Sequence, residues 1–229
     1  PLPARGRRPL VREAPAQVEA TRALGQQREA APMIRLDWSG MHPLGAQTVF
    51  DAASAVAGVT LPELHDARAA SVAQELRACS ELRAVVLRCD SWIGSSQSPA
   101  DVDSRRGASD VDDMIDALQG FNVPLICALH GGVAGRGLQL ALAMDYRVAD
   151  VRTTRFVHSK LVDHLLPWLL GAGAAGAFVD AGTVTAEQAQ RLGLAHERVD
   201  GAAVVPRALE LAAWLASQPP VGLAGTLRL

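Results

Sequence analysis

Apolar residues recur along this chain in blocks that switch between helical and extended periods. In TLPELHDARAASVAQELRAC, residues 60–79, Leu61, Leu64, Val72 and Leu76 fall on one side at helical spacing with Ala69 beside them, and Thr60, Pro62 and Glu63 supply a cap and first turn. The spacing predicts a helix. LRAVVLRC, 82–89, is a short β-branched run that reads as a strand, and the polar DSWIGSSQSPAD, 90–101, reads as a loop. The alternation then repeats. Residues 109–121 form a predicted helix with Ser109 as its cap, acidic residues in its first turn and Gly120 at its end. VPLICALH, 123–130, is a strand whose unbroken apolar character implies burial on both faces. After a glycine-rich turn, LQLALAM, 138–144, is apolar nearly all round, as a helix inside a core must be, and DYRVAD, 145–150, reads as another strand.

Further along, GAGAAGAFVDAG, 171–182, predicts a small-residue helix and a turn, and TAEQAQRLGL, 185–194, a capped helix closed by Gly193. AHERVD, 195–200, reads as a strand, and AAVVPRALELAAWLASQ, 202–218, as a helix despite Pro206. Strands alternating with helices predict α/β architecture with right-handed crossovers. The opening 33 residues hold six Arg, three Glu and five Pro without apolar periodicity and read as a linker or N-terminal arm, leaving 34–229 as the folded domain.

Composition narrows the function. The net charge is −2 and aromatics make up 4% of 229 residues, which argues against nucleic-acid binding. No apolar run reaches the length of a membrane span, and the start of the chain lacks the apolar centre of a signal peptide, so the expected location is cytoplasmic. Cys79, Cys89 and Cys127 lie in or beside apolar segments without CxxC spacing and read as reduced core residues. The six histidines show neither HExxH nor Cys/His pairing, so no metal site is expected, and no Gly-x-Ser-x-Gly elbow supports a serine nucleophile.

The sharpest feature is HGGVAGRGLQLALAMD, 130–145. A Walker loop would need a Gly-Lys-Ser/Thr ending that is missing, and GRGLQL lacks the last glycine of a dinucleotide fingerprint. Two readings remain. One is a tight chain reversal that needs positive φ. The other is an anion site at a helix start, where the N–H groups of Gly135, Arg136 and Gly137 face an oxygen gaining negative charge.

The segment VPLICALHGGVAGRGLQLALAMDYRVAD, 123–150, resembles the signature of the crotonase superfamily, the enoyl-CoA hydratase and isomerase family. LRAVVLRCDSWIGSSQSPAD is similar to that family's strand and first oxyanion loop, and VTAEQAQRLGLAHERVD, 184–200, to its helix-Gly-Leu-strand element. The resemblance covers roughly residues 60–229 and is strongest at 82–160 and 184–200. It implies a crotonase-like ββα spiral core, a thioester carbonyl held by the N–H groups of Ser96 and Arg136, and an enolate as the intermediate. Trp92 and Gly94 in the first loop, with Gly135 and Gly137 in the turn, would line the substrate. The acyl group would be carried on coenzyme A or on the phosphopantetheine of an acyl-carrier protein, with no further cofactor. The resemblance also implies a homo-oligomer, a trimer in the family.

The chain departs from the family where acid-base chemistry belongs. The positions of the two hydratase glutamates hold Gln139 and the neighbourhood of Ser159 and Lys160, none of them acidic, so water addition by the usual pair is not expected. Residues 34–59 keep little of the family's opening strand motif, and the closing helices are expected to be truncated or reduced. Lys160 is the one lysine among 22 basic residues, which suggests a role open to an ammonium and not to a guanidinium. His158 and His164 flank it, and Asp163 reads as a surface or capping carboxylate.

Decarboxylation of a β-carboxyacyl thioester needs no base, because loss of CO2 itself generates the enolate. Ser96, Arg136, Gln139, His158 and Lys160 are therefore the candidate catalytic residues. Dehydration and double-bond isomerisation are the alternatives within the family. TTRF, 153–156, and LLPWLL, 165–170, resemble segments of decarboxylases and dehydratases of polyketide β-branching. The rival reading is a catalytically degenerate member kept for binding or assembly.

Overall fold

The computed structural model describes residues 41–44, 48–61, 69–89 and 108–219. Ten strands and seven α-helices are placed among them. The chain enters through β1 (His42–Pro43), β2 (Thr48–Asp51) and β3 (Val56–Leu61), then α1 (Ala69–Arg77), β4 (Ala84–Cys89) and α2 (Ala108–Gln119). It continues through β5 (Leu125–Leu129), β6 (Gly132–Val133), α3 (Gly135–Leu142), β7 (Tyr146–Asp150) and β8 (Arg155–Val157). A 3-10 turn (Lys160–Val162) leads to α4 (Leu166–Leu170), α5 (Ala172–Ala181), β9 (Thr183–Thr185), α6 (Ala186–Leu192), β10 (Glu197–Val199) and α7 (Gly201–Ser217).

The main sheet has the order β1-β2-β3-β4-β5-β7-β10, antiparallel across β1, β2 and β3 and parallel from β3 to β10. Strand alternation divides its side chains between two cores. Val85, Leu87, Cys89, Leu125, Cys127 and Leu129 meet Val72 and Leu76 of α1, Met114 and Leu118 of α2, and Leu138 and Leu140 of α3. Ala84, Val86, Ile126, Ala128 and Val148 meet Val204, Ala208, Leu209, Ala212 and Leu215 of α7 on the other face. The whole of β5 is buried, as its unbroken apolar run predicts.

One reading of the opening region is overturned. Thr60 does not cap a helix: it lies in β3, which hydrogen-bonds on both sides, to β2 and to β4. A strand with two partners satisfies its whole backbone, which a local side-chain cap cannot match. Within 34–59 the structure places β1, β2 and most of β3. The β2–β3 turn is closed by Asp51, whose carboxylate accepts from the Ala53 N–H at 3.1 Å and the Ser54 hydroxyl at 2.5 Å, while Ala55 takes φ 57°. Ser109 lies inside the first turn of α2, which starts at Ala108, and α3 starts at Gly135, three residues before the apolar run. Thr185 and Gly193 cap α6 as expected, through a complete capping box and a left-handed C-cap. Pro206 sits inside α7, and the helix continues through it.

A second, three-stranded sheet, absent from the sequence reading, decides what the glycine turn faces. Its order is β6-β8-β9, with Gly132 and Val133 paired in parallel to Arg155 and Phe156. Because β6 and β8 run the same way, the chain leaving β8 runs beside the chain leaving β6. The 3-10 turn consequently packs against α3.

Candidate active site

Between β5 and α3 the backbone makes the reversal that the glycines allow. Gly131 and Gly135 adopt φ 69° and 50°, conformations open to glycine and strained for other residues. The turn is tied at both ends. Its start is anchored by the Gly131 N–H donating to the Thr153 hydroxyl at 3.2 Å and the Gly131 carbonyl accepting from the Arg155 N–H at 3.0 Å. At its end Ala134 is the N-cap in extended conformation without a side-chain cap, and the Leu138 N–H closes the first helical bond to the Ala134 carbonyl at 3.1 Å. The N–H groups of Gly135, Arg136 and Gly137 therefore form the helix's N-terminal turn, which has no intrahelical acceptor. Gly135 and Gly137 are buried, so an oxygen there would be shielded from water.

The anchor beneath the turn is a polar network around the buried Asp150 and Thr154. Asp150 accepts from the Thr153 hydroxyl and from the Arg152 N–H at 3.0 Å, and its Oδ2 lies 3.9 Å from His130 Nδ1. Burial pushes its carboxyl up, but the Thr153 hydroxyl, the backbone N–H groups and His130 outweigh that and hold it below the ordinary carboxylate value. Thr154 bridges two parallel strands, donating to the Leu129 carbonyl at 2.9 Å and accepting from the Asp150 N–H at 3.1 Å.

The side chains of Arg136 and Gln139 turn to a third residue that the sequence did not mark. Arg136 Nη1 donates to Asp112 Oδ1 at 3.1 Å and to Gln139 Oε1 at 2.7 Å, and Gln139 Nε2 donates to Asp112 Oδ1 at 2.9 Å. Arg136 Nε is buried without a hydrogen-bond partner among the described residues. Asp112 comes from α2, across a gap in sequence that no spacing rule bridges.

Across from α3, His158 is mostly buried, packs edge-on against Phe178 at 5.7 Å, and donates from Nε2 to Asp163 Oδ1 at 2.6 Å. Asp163 is a half-exposed residue that caps the C-terminus of the 3-10 turn, as the sequence suggested, and it is also the partner of His158. Ser159 caps the 3-10 turn by accepting from the Leu161 N–H at 3.2 Å. Lys160 is exposed at the start of that turn. The structure thus brings the segment bearing His158 and Lys160 beside α3. Ser96, Gly94 and Trp92 lie outside the described residues, as does the 1–33 segment.

A parallel-stranded core, a glycine turn opening a buried helix, and a second small sheet beside it define a fold that can be compared. The mouse mitochondrial enoyl-CoA hydratase domain-containing protein 2 is 30% identical over 195 residues, 76% of this chain and 64% of its own length. The Escherichia coli 1,2-epoxyphenylacetyl-CoA isomerase is 36% identical over 110 residues, 44% of this chain and 42% of its own. The solved structure of a monofunctional enoyl-CoA isomerase from M. smegmatis superimposes with a TM-score of 0.61 at 26% identity, covering 79% of this chain and 90% of that one. The chain belongs to the crotonase superfamily. No family model matches it, as suits a divergent member, and it spans less than two thirds of the length of those curated relatives.

In this crotonase fold, two further features escaped sequence reading. Arg147 is buried at the far end of α3, donating to the carbonyls of Leu194 and Met144 at 2.7 Å each and more loosely to those of Ala141 and Gly193. Burial lowers its pKa to about 10. His196 stacks on Tyr146 at 4.6 Å, accepts from the Arg147 N–H at 3.1 Å, and is pushed down to about 3 by burial and then by the Arg147 charge. Cys89 and Cys127 are buried, with burial raising the Cys127 thiol. Among the described residues no three of His, Cys, Asp and Glu converge to hold a metal ion, and no helix is long and apolar enough to cross a membrane.

Proposed function

We propose that this chain is an enzyme of acyl thioesters that stabilises an enolate oxygen at the glycine turn, and that its most fitting reaction is decarboxylation. The observation that carries the reading is the N-terminal turn of α3, whose Arg136 N–H stands among buried glycines, combined with a Gln139 whose carboxamide cannot exchange a proton near neutral pH. The names of the relatives, an enoyl-CoA hydratase domain-containing protein and CoA-ester isomerases, support the substrate class.

In the reaction, the bond between the α-carbon and the carboxylate carbon of a malonyl-type thioester, whose carboxylate carbon stands β to the thioester carbonyl, breaks. CO2 leaves, and the bond's electron pair becomes the enolate, its charge resting on the thioester oxygen held by the N–H groups of Arg136 and Ser96. A proton from His158 then reaches the α-carbon, restores the thioester, and is replaced from solvent. Asp163 holds the His158 ring in place for this transfer, and Lys160 orients the departing carboxylate. The buried Nε–H of Arg136, unmatched among the described residues, supplies one more donor for an oxygen of the acyl group. Carriage on coenzyme A and on an acyl-carrier protein are both compatible with this chemistry, and the segments TTRF and LLPWLL, which resemble polyketide β-branching enzymes, favour the carrier protein.

Mass-spectrometric turnover of 3-hydroxyacyl, enoyl and β-carboxyacyl thioesters, on both carriers, tests the proposal beside Lys160→Ala. CO2 loss that falls at least about tenfold in the variant supports it. Water loss or addition unaffected by the variant would move the chemistry to dehydration, and absence of both turnover and thioester binding would leave a crotonase-fold binding protein.

A further inference from the structure

Arg136 and Gln139 stand three residues apart on α3, and both lean on Asp112 of α2. A carboxylate can only accept and a guanidinium can only donate, so the carboxamide between them has one permitted orientation, Oε1 toward Arg136 and Nε2 toward Asp112. The chemistry of the two partners fixes this, whichever way the amide atoms are assigned. Three consequences converge on Asp112. It neutralises a guanidinium whose side chain is only 19% exposed, it joins α2 to the first turn of α3, and its Oδ1 stands 2.9 Å from the atom that a carboxylate oxygen at position 139 would replace.

We propose that Asp112 is the positioning residue of this site: it locks the Gln139 carboxamide and the Arg136 side chain in one arrangement, and its charge is what excludes an acidic residue at position 139. Among the described residues this leaves one Nε2 hydrogen of Gln139 uncommitted beside the thioester turn, a donor where hydratases have a proton-exchanging acid. The catalytic consequence rests on the thioester reading above. The lock does not.

The test places a carboxyl at 139 and reads its titration by carbon-13 NMR. In Gln139→Glu, Asp112 Oδ1 lies 2.9 Å from the atom that an oxygen would replace, and a like charge at that range raises a carboxyl's pKa. The carboxyl introduced at 139 is expected to titrate at least about one pH unit higher in Gln139→Glu than in Gln139→Glu combined with Asp112→Asn. Equal titration in the two proteins would overturn the proposal. A second readout follows turnover: Asp112→Asn, whose new amide can both donate and accept, releases the enforced orientation and is expected to lower kcat about tenfold with KM within about twofold. Titration and folding are measured without substrate, so failure of every thioester to bind would refute the functional reading while leaving the lock to be judged by NMR. A single-variant loss of melting temperature with unchanged titration would mark Asp112 as a plain structural bridge and overturn the proposal.

Discussion

The two ends of α3 solve opposite problems with the same backbone chemistry. At its N-terminal end the N–H groups of Gly135, Arg136 and Gly137 have no acceptor within the helix, and the charged side chains lie at the edge, with Asp112 half exposed. At its C-terminal end the carbonyls of Gln139, Leu140 and Ala141 all have donors. Arg147 spreads its guanidinium over carbonyls from α3 and from the Gly193–Leu194 stretch, and His196 accepts from its backbone. If the first turn receives an oxygen, as proposed, the last turn must be fixed, and the buried guanidinium of Arg147 fixes it.

The largest expected effect is at the fixed end. Arg147→Met removes the donor from several buried carbonyls and is expected to destabilise the fold by about 3–5 kcal/mol in denaturant unfolding. Arg147→Lys should recover only part of this, because one ammonium cannot span carbonyls from two segments. If Arg147→Met were within about 1 kcal/mol of wild type, the division between the ends would collapse. Gly135→Ala probes the open end. Its φ of 50° is strained for alanine by about 1–2 kcal/mol, so stability should drop modestly while thioester affinity, measured by calorimetry, falls at least about tenfold. Equal affinities would show that the turn does not hold the carbonyl.

pH separates the ends further. His196 binds its proton at about 3 in the folded protein against an ordinary value near 6.5, so the unfolded chain protonates first as pH falls. Its contribution is intact above about pH 6.5 and declines from there toward pH 3, with a slope approaching about 1.4 kcal/mol per pH unit. Urea unfolding of His196→Gln at pH 6 and pH 4 should show that slope reduced. An unchanged slope would assign the acid sensitivity elsewhere. Smallest of all, Thr185→Ala removes one half of the α6 capping box and is expected to cost about 1 kcal/mol, with thioester binding unaltered.

Much of this was legible in the chain because it is local. The buried β5, the capped α6 and the glycine turn each announce themselves within a dozen residues, through an unbroken apolar run, a Thr with Gln three residues on, and closely spaced glycines. Thr60 was misread for the same reason. A Thr-x-Pro-Glu start is a fair helix signal taken alone, and only pairing of β3 with β2 and β4 overrules it. The β6-β8-β9 sheet escaped because its strands are two or three residues long and carry no period. Asp112, Arg147 and His196 were missed because their partners lie far away in sequence, 24 residues for Asp112 and Arg136 and 49 for Arg147 and His196. Family resemblance pointed to Arg136 and Gln139 as positions, but their mutual bond and their shared carboxylate are properties of the packed helices.

The central claim, that the glycine turn holds a thioester oxygen, is tested most directly by isotope-edited infrared spectroscopy of a carbon-13-carbonyl-labelled, unreactive acyl thioester bound to the protein. Hydrogen bonds from the Arg136 N–H should lower the carbonyl stretch relative to the free thioester, and Gly135→Ala, at saturating ligand, should move it back toward the free value. A bound carbonyl absorbing at the solution frequency, or one that Gly135→Ala leaves where it is, would contradict the account.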